Sequence, residues 1–115
     1  MHEFGLAVRM IELAEEAARA AGATRIESIQ LEIGALAGVV PEALEFAYRG
    51  AREGTLAADA TLDVTYLPAL AHCPICDADF ELDNRFGIAD CPTCGTPSGD
   101  LRQGRELHLR DVAVA

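Results

Sequence analysis

The residues best equipped for chemistry in this chain are its four cysteines. They stand as two matched pairs, Cys73-Pro-Ile-Cys76 and Cys91-Pro-Thr-Cys94, with 14 residues between the pairs. A two-residue spacer lets both sulfurs of one turn face the same ion, and zinc takes four thiolates as a tetrahedron. Gly95 permits the tight backbone path after the second pair. The separation is slightly shorter than the ~15–20 residues usual for such ribbons, yet within reach. Four cysteines close the coordination sphere, so the zinc is expected to be structural rather than catalytic. A redox Cys-x-x-Cys and a disulfide are the competing uses. Redox motifs rarely come as matched pairs, and acidic surroundings oppose the depressed thiol pKa that redox work needs. His72, beside Cys73, reads as a flanking, solvated side chain rather than a substitute ligand.

A second arrangement sits at the opposite end. The chain begins Met1-His2-Glu3. A free α-amine, the backbone nitrogen of residue 2 and the His2 imidazole can form fused chelate rings. The Glu3 amide nitrogen or carboxylate can complete four ligands. A planar nitrogen array favours Ni(II) or Cu(II) over Zn(II) on geometric grounds. A bulky residue at position 2 also hinders removal of Met1. Taken alone, such an end is more often frayed than metal-binding.

Elements must position these groups. Leu6, Met10, Leu13, Ala14, Ala17 and Ala21 share one face of a predicted helix over residues 6–21, which Gly22 ends. Its acids Glu12, Glu15 and Glu16 form a solvated face. Residues 26–33 alternate as a half-buried strand through Ile29, Leu31 and Ile33. Pro41 suits the first turn of a second helix reaching about Arg52, with Leu44, Ala47, Tyr48 and Ala51 as its buried stripe. Residues 61–67 alternate again, with Leu62, Val64 and Tyr66 on one side. A last strand runs through Leu107 and Leu109, and its phase slips to Val112 and Val114, which predicts a bulge near Asp111. His108 on it is expected to face solvent.

Between these last two strands the composition changes. The segment 69–104 holds all four cysteines, three of the five prolines and few core-type residues. The stretch containing Phe80, Leu82, Asn84, Phe86 and Gly87 reads as a short hairpin that brings the Cys pairs together. The fold class expected is α+β: a three-stranded sheet packed with two helices, plus an inserted zinc-ribbon module. The boundaries are 1–68 and 105–115 for the α+β domain and 69–104 for the insertion.

The chain has 115 residues, half of them hydrophobic, with no tryptophan. A packed core is therefore feasible, built mainly from Ala, Leu, Ile and Val. The formal net charge is −10, and all nine basic residues are arginine. Such a chain is repelled by nucleic-acid phosphates and anionic lipid, so neither nucleic acid nor membrane is an expected partner. No run of about 18 apolar residues occurs, and charged residues interrupt any signal-like core near the start. A cytoplasmic location is expected, where reduced thiols favour metal over disulfide.

Four signatures now fall in order. They are the Met-His-Glu-aromatic start; Ile33-Gly34-Ala35-Leu36-Ala37-Gly38-Val39-Val40-Pro41-Glu42-Ala43-Leu44-Glu45-Phe46; the two Cys pairs; and Gly104-Arg105-Glu106-Leu107-His108-Leu109. Together they resemble the HypA/HybF family of hydrogenase nickel-incorporation proteins, end to end. The resemblance implies a non-enzymatic metallochaperone with a structural Zn²⁺ and a transported Ni²⁺. His2 would be the essential nickel ligand, assisted by Glu3 and by the backbone at Met1. Cys73, Cys76, Cys91 and Cys94 would hold zinc. The implied partners are a nickel-handling maturation GTPase and the large subunit of [NiFe] hydrogenase, with urease served in some organisms. A monomer is the default, with a weak homodimer open through the strand edges. Gly5 and Thr96 stand where the family commonly has serine, and no histidine follows either Cys pair. The competing function is a zinc-ribbon nucleic-acid or transcription-associated module, which the acidity opposes.

Overall fold

The computed structural model describes residues 3–115. The chain divides into two compact units. One comprises the residues up to Glu32 together with Gly38–Thr65 and His108–Ala115; the other comprises Ile33–Ala37 and Tyr66–Leu107.

The first unit carries helices α1 (Glu3–Ala20) and α2 (Pro41–Ala51), which pack on each other. Strands β1 (Ile26–Gly34), β2 (Thr61–Leu67) and β8 (Leu107–Val114) form a three-stranded sheet in the order β2-β1-β8. The expected two helices and three-stranded sheet are present. Helix α1 starts three residues earlier than its apolar spacing suggested, with acidic Glu3 in the first turn, where the helix dipole favours it. Its buried face is Leu6, Ala7, Met10, Ile11, Ala14 and Ala18. Leu13 is only half-buried, and Ala17 and Ala21 are exposed, contrary to expectation. In an alanine-rich helix several faces have similar apolar content, and Ile11 drew the buried stripe toward itself.

Helix α2 opens on Pro41 after Val40, which offers no side-chain cap. Leu44, Ala47 and Tyr48 are buried as expected, whereas Ala51 is half-buried. Tyr48 donates its hydroxyl to the Ala60 carbonyl at 2.8 Å, and Arg52 Nη1 donates to the same oxygen at 3.1 Å. In β1 the expected alternation puts Ile29, Leu31 and Ile33 inside, and Ile26 joins them. In β2, Leu62 and Val64 are half-buried, but Tyr66 is exposed rather than sharing their environment. In β8 the exposure pattern slips by one residue between Arg110 and Asp111, as the sequence phase predicts. His108 is exposed.

The second unit is built from short strands: β3 (Ala69–Cys73), β4 (Ala78–Leu82), β5 (Ala89–Asp90), β6 (Pro97–Ser98) and β7 (Leu101–Gln103). One sheet has the order β4-β3-β7, and β5 pairs with β6. Antiparallel pairing sets Ala69 opposite Leu82, Ala71 opposite Phe80 and Cys73 opposite Ala78. Alternation then turns Ala69, Ala71 and Cys73 inward from β3, against Phe80 and Leu82 from β4. Cys91 completes this small core, with Leu36, Cys76, Ala89 and Leu101 packed against it. Gly104 lets β7 leave β3 at close range. It holds φ +134°, and a Cβ there would lie 2.9 Å from the Ala69 Cα.

Candidate metal centre

The hairpins of the second unit differ from the sequence expectation. The stretch between the Cys pairs is not itself the hairpin. Strand β4 pairs back to β3 across the first Cys pair, and β5 pairs with β6 across the second. Each Cys-x-x-Cys is therefore the turn of its own hairpin. The reason is local. The Cys76 N–H points at the Cys73 sulfur (3.4 Å), and the Gly95 N–H donates to the Cys91 carbonyl at 2.8 Å. Each turn is closed by a left-handed residue just after its second cysteine, Asp77 at φ 50° and Gly95 at φ 78°. The glycine was legible as such; the aspartate was not, although Asp is among the non-glycine residues that best tolerate this conformation.

The two turns bring all four sulfurs to within 4.8 Å of one another. Cys73 and Cys94 Sγ lie 3.5 Å apart, and Cys76 and Cys91 Sγ lie 4.0 Å apart. Tetrahedral zinc with bonds of about 2.3 Å needs sulfurs about 3.8 Å apart, so the observed spacings bracket the requirement. Cys73 and Cys91 are buried, Cys76 is intermediate and Cys94 is exposed. The donor set is all thiolate, suited to zinc and closed to substrate. Among the described residues no other group of His, Cys, Asp and Glu has comparable convergence.

The protons on these sulfurs are unevenly held. Cys94 Sγ lies 3.1 Å from Thr96 Oγ1, and the Thr96 hydroxyl and amide pull the Cys94 thiol down to about 6. The Cys94 and Thr93 amides lower Cys91 as well. Cys76, sharing hydrogen bonds with Cys94 and the other sulfurs and partly desolvated, is pushed up to about 12. Without metal, thiolate is thus favoured at Cys94 and thiol at Cys76.

His72 is not the solvated flank that was expected. Its side chain is only 19% exposed, because Asp79 Oδ1 lies 2.8 Å from Nδ1 and Asp77 Oδ1 lies 3.3 Å from Nε2. As expected, it is not part of the sulfur cluster. Thr96 and Ser98 were not singled out as site residues. For Ser98 the only sequence signal is a polar residue four positions after the last cysteine; Thr96 stands out besides only as a departure from the family's common serine.

The other predicted metal residues divide. Met1 and His2 lie outside the described residues. Glu3 opens α1, and its Oε2 accepts the Val40 N–H at 3.2 Å, just before α2.

Comparison with known proteins agrees with this arrangement along the whole chain. The family described as hydrogenase/urease nickel incorporation, metallochaperone, hypA, matches residues 1–114. The hydrogenase maturation factor HypA of Chloroflexus aurantiacus is 43% identical over 109 residues, 95% of each chain. That of Rhizobium leguminosarum bv. viciae is 40% identical over 114 residues, 99% of each chain. The solution structure of the Ni metallochaperone HypA from Helicobacter pylori superposes with a TM-score of 0.66 at 25% identity, covering 99% of this chain and 97% of that one. Matched in length, sequence and fold from end to end, the chain belongs to the HypA family of hydrogenase and urease nickel-incorporation metallochaperones.

Proposed function

We propose that this chain carries Ni(II) to an apo-enzyme during [NiFe] hydrogenase maturation, or to urease where the cell has one. The observation that carries the proposal is the family match over residues 1–114. His2 is the essential nickel ligand, with the Met1 amine and Glu3 assisting. A site of amine, amide and imidazole nitrogens at a chain end suits transfer, because an incoming ligand can displace it stepwise. Binding strengthens as pH rises, since the ligands must lose protons. The hold of Glu3 on Val40 supports the reading, because it fixes the start of α1 against the approach to α2.

Cys73, Cys76, Cys91 and Cys94 hold zinc and keep the segment 69–104 folded, while 1–68 and 105–115 form the nickel domain. This segment has six acids against two arginines, so its face suits a basic docking surface. The partners are a nickel-handling maturation GTPase and the hydrogenase large subunit. Nothing in the carrier role requires a covalent step, so the chain works as a carrier and not as an enzyme. Among the described residues no helix is long and apolar enough to cross a membrane, and work in the cytoplasm beside those partners is part of the proposal.

The test is equilibrium nickel binding by chain that starts at Met1 without a tag, compared with His2→Ala. Loss of tenfold or more in affinity, about 1.4 kcal/mol, is expected. Equal affinities overturn the nickel site.

A further inference from the structure

The two Cys turns lie on separate hairpins, and sulfur alone does not explain how they are held in register before a metal arrives. One buried polar side chain joins them. Ser98, on β6 beside the second turn, is 7% exposed and is the one buried polar or charged residue among the described residues. Its hydroxyl donates to the carbonyl of His72, the residue preceding Cys73. Ser98 Oγ in turn accepts the Asp100 N–H at 3.3 Å. The circuit closes where the His72 N–H donates to the Asp100 carbonyl at 2.8 Å. On the far side of this residue the His72 imidazole is gripped by Asp79 at 2.8 Å.

We infer that Ser98 is a positioning residue for the zinc site: its hydroxyl clasps the Cys73 strand to the second hairpin and presets the distance between the two pairs of thiolates. The physical argument has two parts. A Ser hydroxyl can donate one hydrogen bond and accept others, and here it does both between different elements. Its partners at residues 72 and 100 belong to the strand that enters the first turn and the segment that leaves the second. Hydrogen-bond partners behind metal ligands fix ligand orientation, and their removal typically costs about 10–100-fold in metal affinity. Ser98 differs from the usual case in holding ligand-bearing backbone, not a ligand atom. Thr96, which touches Cys94 directly, orients one sulfur; Ser98 sets one hairpin against the other.

The inference rests on the four-cysteine zinc reading, and the experiment separates the two. One zinc per wild-type chain, retained through a weak chelating resin, tests the site itself. Zinc transfer to a chromophoric chelator is then timed for wild type, Ser98→Ala and Ser98→Thr, and each chain is loaded with Co(II) to record its ligand-field bands. Release about tenfold or more faster from Ser98→Ala, altered cobalt bands with four thiolates still bound, and recovery in Ser98→Thr are expected. Release within about twofold of wild type and an unchanged cobalt spectrum overturn the clasp while leaving the zinc site standing. Should Ser98→Ala not fold, amide exchange in zinc-loaded wild type decides. The His72 and Asp100 amides must be protected together, and fast exchange at either overturns the inference.

Discussion

At the scale of single residues, the sulfur quartet is chemically unequal. Thr96 holds the Cys94 thiol down to about 6, while its neighbours hold Cys76 up to about 12. Cys94 is also the exposed member. In metal-free, reduced protein at about pH 7, an alkylating reagent should therefore mark Cys94 first, because the thiolate is the nucleophile. Peptide mapping at short labelling times checks this. Thr96→Val should slow Cys94 labelling several-fold, and zinc should protect all four cysteines. First labelling at Cys76 would contradict the assignment. The residue after each Cys pair carries a second lesson. Glycine at position 95 announces its left-handed turn, whereas Asp77 adopts the same conformation without announcing it. Side-chain type constrains φ only partly, so the equivalence of the two turns became visible only in three dimensions.

At the scale of elements, α2 is pinned by Tyr48. Burial raises its pKa above the ordinary value, with Arg52 opposing. The folded chain keeps this proton to higher pH than the unfolded chain, so its contribution is intact below about pH 10 and is lost as pH rises through the folded pKa. The chain has no lysine and only two tyrosines, so the four cysteines are the main other side chains that titrate near there, and comparison of the variant with wild type cancels them. Tyr48→Phe should cost about 1 kcal/mol near neutral pH. The cost stays modest because Arg52 still serves the Ala60 carbonyl. Between about pH 9 and 11 the variant should lose less stability than wild type. Urea unfolding midpoints at the two pH values test this, and parallel losses would refute it. Period-two and period-3.6 patterns placed the principal elements well. They misjudged which face of α1 turns inward, since Leu13 and Ile11 lie on different faces of the helix and only packing partners choose between them.

At the scale of the whole molecule, the two compact units depend on metal differently. The second unit's core is small, and two of its six buried members, Cys73 and Cys91, belong to the four-sulfur cluster proposed to hold zinc. Stripping zinc leaves those ligands to share protons and removes the link that replaces a larger core. Both helices lie in the first unit. Chelation should therefore leave helical circular dichroism nearly intact while amide exchange at Ala71, Cys73, Phe80 and Leu82 accelerates strongly. Equal acceleration at Ile29 and Leu31 would refute this independence. Acidification should act in the same direction, because protons compete with zinc for thiolate.

The amino-acid sequence by itself determined the ligand types, their number and their order along the chain. Spacing, charge and hydrophobic period are one-dimensional properties, and they sufficed for an α+β domain interrupted by a four-cysteine insertion and for the family resemblance. Tertiary structure decided what depends on pairing across distance. It made each Cys pair the turn of its own hairpin and packed Ile33–Ala37 with the second unit. It also drew His72 between two aspartates and set the Ser98 hydroxyl on the His72 carbonyl. Those outcomes follow from strand register and local left-handed turns, which no single stretch of sequence specifies.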